Sequence, residues 1–551
     1  MSLPTRATFP FLSRLDPNSY VVEDRVWYPQ VRKSVYLPDE QVTLVLNGAP
    51  NEMLLSEKVE LALNARQILS TDGTAPLAPY GSNDPALNQM AGFLWGNSVT
   101  QYSRESYNAS SLPLLENSDR SLHLNYNTLR ALFCRSSADV PKKSTDKHGE
   151  IVNADKRFVE IYDLQMAGFR SLARKLNEIT IIDNKVSPNA LVINTQKCKS
   201  DYSIPLGFYS DLVNCNSIIP LGLLASYNSN GMAVQIELAN GKKNMTMANA
   251  AGKVTVIPTA STQVPNGGVT YNNVQVNGKI VKFLDPMAME KVYSLYQKTA
   301  TASVGEVEFP LALRLNTIGH RFYQFPVTSG VSDYQFHIPT NDKSVRAIAW
   351  QVIKNDWKPS ATGNNTVDPV SCGTLFVDEI DITRVKVDIG SLKVMCDAVE
   401  TTDPRDGTVN AWAYSQVKKS AHLFSPKPYW YERESHNNNQ EDFWFNYGND
   451  TNRDATGTPH RVLYGAFNLE NAEHAEFDTK DISSGVDVSQ YGAIDVHMRF
   501  KKVAQSGVSD VYAESSYGNI DANYTILFCL AYDQVMEISP QGVANVSQSV
   551  L

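Results

Sequence analysis

Short runs in which apolar and polar residues alternate recur along the 551-residue chain and constrain its fold more than any other feature. A period of two places alternate side chains on opposite faces of an extended strand. The clearest such runs are 36–47, 58–65 (with Val59, Leu61, Leu63 and Ala65 on one face), 178–183, 253–258, 344–353, 376–389 and 523–538. Because residues that favour turns separate these runs, we predict an all-β sandwich or barrel architecture.

One predicted strand, 376–389, changes phase between Ile382 and Val385, which predicts a β-bulge. Helices are few. The clearest covers 285–298, with Asp285 as N-cap, Pro286 at the first position, and Met289, Val292, Tyr293 and Tyr296 on one face. Further helices are predicted within 157–176 and 410–424, and the long polar stretches 139–156, 259–275, 358–371 and 432–459 are interpreted as surface excursions.

The tetrapeptide IPLG occurs twice, at 204–207 and 219–222, on either side of the polar segment 210–217. Each proline fixes its own φ and removes a hydrogen-bond donor, so it suits a strand end or an edge. The alternating run 232–238 follows. We interpret this region as a strand, a corner, a loop that leaves the sandwich, a second corner and a strand.

A similar arrangement returns in the second half of the chain. The apolar run VLYGAF (462–467) leads through a polar segment into the alternating run 494–500. The repeat distance is close to half the chain. We therefore predict two consecutive β domains of one architecture, in which 232–238 and 494–500 are equivalent strands.

Composition limits the possible functions. With 42% hydrophobic and 19% charged residues the chain can bury sizeable cores, and its net charge of -9 argues against a dedicated nucleic-acid-binding protein. The beginning of the sequence lacks the apolar core of a signal peptide, and no apolar run is long enough for a membrane helix. The cysteines form no CxxC pair and are expected to be reduced and mostly buried: Cys134, Cys198, Cys215, Cys372, Cys396 and Cys529.

The densest group of potential metal ligands is ENAEHAEFD, which contains Glu470, Glu473, His474, Glu476 and Asp478. Its spacing matches no metal motif, so we interpret it as a solvated acidic loop or short helix; a cation site or a charged subunit contact is the alternative. The carboxylates of 402–407 lie in turn dipeptides, and His497 is interpreted as a surface histidine.

Hydrolase and nucleotide-binding motifs are absent from the sequence. Two aromatic clusters, 426–434 and 442–448, could stack sugars or anchor a subunit interface, and we favour the interface. Their central residues are Trp430, Tyr431, Trp444 and Tyr447. We accordingly predict no catalytic, cofactor-binding or metal-binding residues and no enzymatic activity.

The pattern IPLGFY…IIPLGLL…AVQIEL resembles the sixth and seventh strands of the first jelly roll in double jelly-roll major capsid proteins of double-stranded DNA viruses, of the virophage, polinton-like and large DNA virus type. Four further segments resemble this family in the same order: 279–296 its first closing strand and helix, 332–355 the opening strands of its second roll, 381–395 the next part, and 524–543 the terminal strand. The chain departs from the family in having Gly-Phe-Tyr in the first copy of the repeat, where tryptophan is frequent, and in lacking the Pro-Leu pair in the second copy, 461–500.

The resemblance implies two consecutive eight-stranded antiparallel jelly rolls, with a few short helices and long loops, at 1–300 and 301–551. It also implies a major capsid protein that trimerises into a pseudo-hexagonal capsomer of an icosahedral virion. Its expected partners are neighbouring capsomers, penton proteins and minor or cement proteins, after synthesis in the host cytosol. The alternative is a two-domain β-sandwich carbohydrate-binding protein or glycoside hydrolase, which would need carboxylates about 5–10 Å apart in an aromatic groove.

Overall fold

A computed structural model gives the fold of the chain. It describes residues 17–67, 90–94, 100–106, 115–116, 129, 199–215, 218–227, 231–238, 245–249, 254–255, 269–301, 308–354, 380–390, 392–400, 416–417, 419–420, 423–424, 464–470, 485–503, 517–518, 520, 523–539 and 544–547. Strands dominate these residues, which confirms the all-β prediction. The predicted strand 178–183 and the predicted helix within 157–176 lie outside them.

The first half of the described chain contains twelve strands. They are β1 (Tyr20–Trp27), β2 (Gln41–Leu46), β3 (Glu52–Gln67), β4 (Met90–Leu94), β5 (Thr100–Ser106), β6 (Leu115–Glu116), β7 (Lys199–Pro205), β8 (Ile218–Ile219), β9 (Met232–Leu238), β10 (Met245–Asn249), β11 (Val254–Thr255) and β12 (Val269–Phe283). Eight of them form two antiparallel sheets of order β1-β12-β3-β7 and β2-β9-β5-β6, which we call the first roll. Counted within the roll, the orders are 1-8-3-6 and 2-7-4-5, the strand order of a jelly roll.

The second half repeats this order. Its strands are β13 (Gln297–Thr301), β14 (Glu308–Val327), β15 (Asp333–Pro339), β16 (Val345–Lys354), β17 (Ile380–Ile389), β18 (Leu392–Glu400), β19 (Tyr464–Asn468), β20 (Ala493–Val503), β21 (Tyr517–Gly518), β22 (Tyr524–Ile538) and β23 (Ala544–Ser547). The sheets β14-β22-β16-β19 and β15-β20-β17-β18 form the second roll, again with orders 1-8-3-6 and 2-7-4-5. Because β9 and β20 are both the seventh strand of their roll, the predicted equivalence of 232–238 and 494–500 is confirmed.

The remaining strands extend this framework. A separate small sheet has the order β11-β10-β4, and β8, β13, β21 and β23 pair with β3, β14, β20 and β22, respectively. The register of β17 against β20 shifts between Ile382 and Arg384, which confirms the predicted bulge.

Three short helices lie wholly within the described residues: α1 (Asp211–Cys215), α2 (Leu221–Ser226) and α3 (Pro286–Tyr293). Helix α3 was predicted. The Asp285 carboxylate accepts a 3.0 Å hydrogen bond from the Met287 amide, and Pro286 opens the helix. The helix continues as a 3-10 turn over Ser294–Tyr296 and is then replaced by β13, so it ends before residue 298. The described residues of 410–424, namely 416–417, 419–420 and 423–424, are helical, as expected.

The prediction of a loop between the IPLG tetrapeptides was wrong. This segment forms the buried helix α1 instead of leaving the sandwich: Ser210, Asp211, Leu212 and Val213 are all buried. The Ser210 hydroxyl caps this helix by accepting a 3.0 Å hydrogen bond from the Val213 amide. The second corner is also helical, since Pro220 precedes α2. Glycine is required at 222, because a Cβ there would lie 2.3 Å from the Pro50 carbonyl oxygen.

The long strand β14 was not predicted. The segment 332–355, which was assigned to the opening of the second roll, forms the second and third strands of that roll, β15 and β16, while β14 is the first. Pro310, Gly319 and Pro326 interrupt its sequence and weaken the strand pattern.

Strands β14 and β22 connect two hydrophobic cores. Their ladder runs without a shift from Leu313↔Ile538 to Val327↔Tyr524. At one end Leu313 and Ile538 belong to the core of the first roll, and at the other end Val327 and Tyr524 belong to the core of the second. The two rolls therefore share one continuous antiparallel ladder.

Candidate functional site

The most unusual polar group in the described chain is a buried arginine on β16. The register of β16 against β22 shifts between Val345 and Ala347, so Arg346 is the extra residue of a β-bulge. Its side chain is 1% exposed. Its Nε donates to Glu470 Oε1 at 2.7 Å, its Nη2 donates to the same oxygen, and its Nη1 lies 3.4 Å from Asp533 Oδ1. One guanidinium therefore faces two carboxylates.

Further hydrogen bonds fix both carboxylates of this group, which we call the Arg346 cluster (Arg346, Glu470 and Asp533). Asn468 Nδ2 donates to Glu470 Oε2 at 3.2 Å, and the Ser344 hydroxyl donates to Asp533. The side chains of Glu470 and Asp533 are only 7% and 3% exposed. The cluster thus joins β16, β22 and the residues that follow β19.

Both carboxylates contact the Arg346 guanidinium, and burial affects the protonation of Asp533. Burial raises the pKa of Asp533 from 3.8 to about 6; Arg346 and the Ser344 hydroxyl oppose this rise, and the charge of Glu470 adds to it. A buried carboxyl beside a second carboxylate is protonated more readily than one in water.

A second ionic pair lies near this cluster. The fully buried Asp342 accepts a hydrogen bond from the Thr340 hydroxyl and a 3.1 Å hydrogen bond from Arg321 Nη1. The Arg321 guanidinium also lies 5.1 Å from the ring centre of Tyr532. Burial raises the pKa of Tyr532 to about 12. These contacts fix the turn between β15 and β16 against β22.

A buried histidine connects the two rolls. His320, on β14, places Nδ1 3.3 Å from Asp211 Oδ1 on α1 and Nε2 2.9 Å from the Leu423 carbonyl oxygen. The Asp211 amide in turn donates to Glu105 Oε2 at 2.7 Å, and the His320 ring packs 5.8 Å from that of Phe424. The contact positions the first roll, β14 and the helical residues 423–424 relative to one another.

The outer face of β15, β20 and β17 is charged. Arg499 Nε donates to Asp333 Oδ1 at 2.8 Å, and this hydrogen bond holds the pKa of Asp333 below its usual range. Lys386 Nζ donates to Asp388 Oδ2 at 2.6 Å, and His497 Nε2 lies 3.4 Å from the same oxygen. His497 is therefore a partly exposed surface histidine, as predicted.

A groove of about 380 Å³ on this face is lined by Arg384, Lys386 and Arg499 with Asp333 as its acidic residue. This lining lacks the pair of carboxylates that glycoside hydrolysis requires.

The structure describes some of the predicted site residues and not others. Glu470 is buried and paired with Arg346, so its assignment to a solvated loop was wrong. The Arg346 guanidinium takes the place of water as the partner of its carboxylate. Cys529 is a buried, reduced cysteine, as expected. The other members of two predicted groups lie outside the described residues: Glu473, His474, Glu476, Asp478, Trp430, Tyr431, Trp444 and Tyr447, as do 402–407.

Within the described ranges, no group of three or more histidine, cysteine or acidic side chains is placed to hold a metal ion. No helix in the same ranges has the length and apolar character needed to cross a membrane. The sequence did not single out Arg346, Asp533 or His320. The one available indication was an arginine inside the apolar run 344–353.

No protein-family model and no curated protein sequence matches the chain. Solved structures similar to it over nearly its full length are viral major capsid proteins. The PBCV-1 virus capsid has a TM-score of 0.47 at 8% identity, covering 96% of this chain and 97% of that chain. The mavirus major capsid protein has a TM-score of 0.40 at 10% identity, covering 99% and 95%. The Faustovirus major capsid protein has a TM-score of 0.38 at 9% identity, covering 96% and 92%.

Proposed function

We propose that this chain is a major capsid protein that forms a homotrimer, and that the trimer is a pseudo-hexagonal capsomer of an icosahedral virion. The observation that carries the proposal is the repeated strand order within one chain. Two similar rolls give each subunit two similar sides, so three subunits present six sides and fill a hexagonal lattice position. We place the boundary between the rolls near residue 300, after α3, and their sheets roughly perpendicular to the capsid surface.

An exposed apolar segment supports assembly. Seven of the eleven exposed large apolar side chains among the described residues lie between positions 21 and 37. They are Val21, Val22, Val26, Tyr28, Val31, Val35 and Leu37, which we call the apolar edge. Exposed apolar side chains concentrated in one segment favour an interface between proteins.

The position of β1 adds to this argument. In the described residues β1 ends its sheet and pairs with β12 alone, whereas the equivalent strand β14 pairs with β13 on its other side. An uncovered edge strand with exposed valines favours association with another chain. We infer that the apolar edge lies at the contact between subunits.

We expect the double variant Val22→Lys, Val26→Lys to remain folded but to be monomeric, because both side chains are at least 40% exposed and lysine there would be buried in the subunit contact. Sedimentation velocity with far-UV circular dichroism measures both properties. Val331→Lys is the matched control, since Val331 is 43% exposed but lies outside the apolar edge. A double variant that assembles as the wild type does would place the contact elsewhere.

We expect the unmodified chain to sediment as a trimer and to remain so on dilution to nanomolar concentration, since obligate interfaces bury more than about 2,000 Å². Monomers at micromolar concentration would contradict the proposal. In the virion the trimer would contact neighbouring capsomers, penton proteins and minor or cement proteins. Synthesis in the host cytosol and the absence of enzymatic activity belong to the same proposal.

A further inference from the structure

The apolar edge continues beyond the segment 21–37. The Leu284 amide donates a 2.8 Å hydrogen bond to the Ser19 carbonyl oxygen, so the residues that follow β12 lie beside the beginning of β1. Leu284 and Met287 are 57% and 78% exposed. Nine of the eleven exposed large apolar side chains of the described residues therefore belong to β1, to the segment after it, or to the turn beside it.

Strand β1 is exposed on both of its faces. Successive side chains of a strand point to opposite faces, so a strand that covers a core alternates between buried and exposed positions. In β1 the four consecutive residues Val21, Val22, Glu23 and Asp24 are all exposed. Because this exposure is that of a single subunit, both faces of the first half of β1 are open to a second copy of the chain.

The outer backbone edge of β1 has the geometry to accept another strand. Its antiparallel register with β12 runs without a shift from Tyr20↔Phe283 to Trp27↔Val276. Pairing on one side uses about half of the backbone groups of a strand, and the others point to the opposite edge. In the second roll the equivalent edge of β14 pairs with β13, which directly precedes β14 in the chain. The first strand of a roll in this protein can therefore carry an added strand at this edge.

The residues that precede β1 in the sequence have the composition of an added edge strand. Residues 1–16 are MSLPTRATFPFLSRLD. Phe9, Phe11 and Leu12 supply apolar side chains for the exposed valines of β1. Proline within a sheet is confined to edge strands, and Pro10 removes a donor from the new edge, which opposes the addition of a further strand.

The length and charge of residues 1–16 also fit this edge. Sixteen extended residues span about 50 Å, whereas the eight residues of β1 span about 26 Å. Half of the segment is therefore enough to pair along β1, and the other half is free to reach it from a neighbouring subunit. Arg6 and Arg14 are complementary in charge to Glu23 and Asp24, of which Asp24 is 82% exposed and bonded to Lys279.

We propose that residues 1–16 of one subunit bind the apolar edge of a neighbouring subunit as an added strand alongside β1. This contact rests on the proposed trimer and names the segment that occupies the boundary between its subunits. The segment supplies backbone hydrogen bonds to the outer edge of β1, and its phenylalanines cover the exposed valines. Around a threefold axis each subunit gives one segment and receives one, so the exchange closes the ring.

Hydrogen exchange of the full-length variant Phe9→Asp, Phe11→Asp tests this contact. We expect residues 20–27 to exchange at least about tenfold faster than in the wild type, because the hydrogen bonds of the outer edge are lost. Residues 276–283 should be unaffected, since β12 lies between β1 and β3. A synthetic peptide of residues 1–16, added in excess, should restore slow exchange at 20–27. A peptide of the same composition in scrambled order is the control.

Disulfide formation between two singly substituted full-length chains identifies the source of the segment. When Phe9→Cys and Val22→Cys chains are assembled together, a bond between positions 9 and 22 must join two subunits. We expect this bond on a non-reducing gel and in the mass spectrum of the linked peptides. Val331→Cys replaces Val22→Cys in the control, since Val331 is exposed outside the apolar edge. A 9–22 bond that forms only within one doubly substituted chain would overturn the proposal.

The remaining outcomes separate this contact from the trimer itself. A wild-type chain that sediments as monomers would contradict the trimer and this contact together. A wild-type trimer whose residues 20–27 exchange as fast in the wild type as in the Phe9→Asp, Phe11→Asp variant would leave the trimer in place and overturn only the contact. A peptide of residues 1–16 that does not slow exchange in the variant would have the same meaning.

Discussion

Replacing Arg346 by leucine is expected to destabilise the second roll by about 3–5 kcal/mol, because the change removes a guanidinium that two buried carboxylates contact. Both carboxylates are less than 10% exposed, so water cannot replace the guanidinium. Urea unfolding monitored by tryptophan fluorescence measures the loss, since the buried Trp350 lies on the same strand.

Two comparisons make this experiment specific. Arg499→Leu removes an exposed ion pair with Asp333 and should cost less than about 1 kcal/mol. Combining Arg346→Leu with Glu470→Gln and Asp533→Asn removes the uncompensated charge and should recover much of the loss. An Arg346→Leu protein as stable as the wild type would show that the cluster does not contribute to stability as described.

Leu221→Asp is expected to abolish the soluble, folded protein, and with it any trimer. Leu221 is fully buried in the first core at the beginning of α2. Truncation of such a leucine alone costs about 2–5 kcal/mol, and a buried carboxylate without a cation adds to that cost. The soluble fraction after expression, followed by size-exclusion chromatography, gives the result. We expect Pro220→Asp, at the preceding buried position, to reduce the soluble fraction as well.

Ala225→Asp is the matched control, because Ala225 is exposed on the same helix. Replacing Glu473 and Glu476 by alanine should also leave folding intact. A soluble Leu221→Asp trimer would mean that the corner after Pro220 tolerates charge and is not part of the core that the structure describes.

The elements that sequence analysis predicted correctly are those whose pattern is local and regular. β9 and β20 alternate strictly, and α3 has a capping aspartate followed by proline. Helix α1 was missed because five residues are too few to display a helical period, and their polar side chains resemble a turn. Their burial depends on β14 of the other roll, which lies about a hundred positions further along the chain.

The Arg346 cluster shows more clearly what sequence analysis cannot predict. Its two carboxylates lie 124 and 187 positions from the arginine, so no spacing within the sequence connects them. The acidic run that begins at Glu470 did attract attention, but its local charge suggested solvent exposure. Only the strand order brings Glu470 and Asp533 to the bulge of β16.

The ladder between β14 and β22 has a consequence for how the chain is made. The core of the first roll includes Met536 and Ile538, which a ribosome adds after more than five hundred other residues. The N-terminal half therefore lacks two buried residues of its core until β22 is made, even when all of its own strands have emerged. Because contacts so distant in sequence form slowly, we expect the first core to be completed only after β22 has been synthesised. Chains that end before β22 would lack these two residues of the first core.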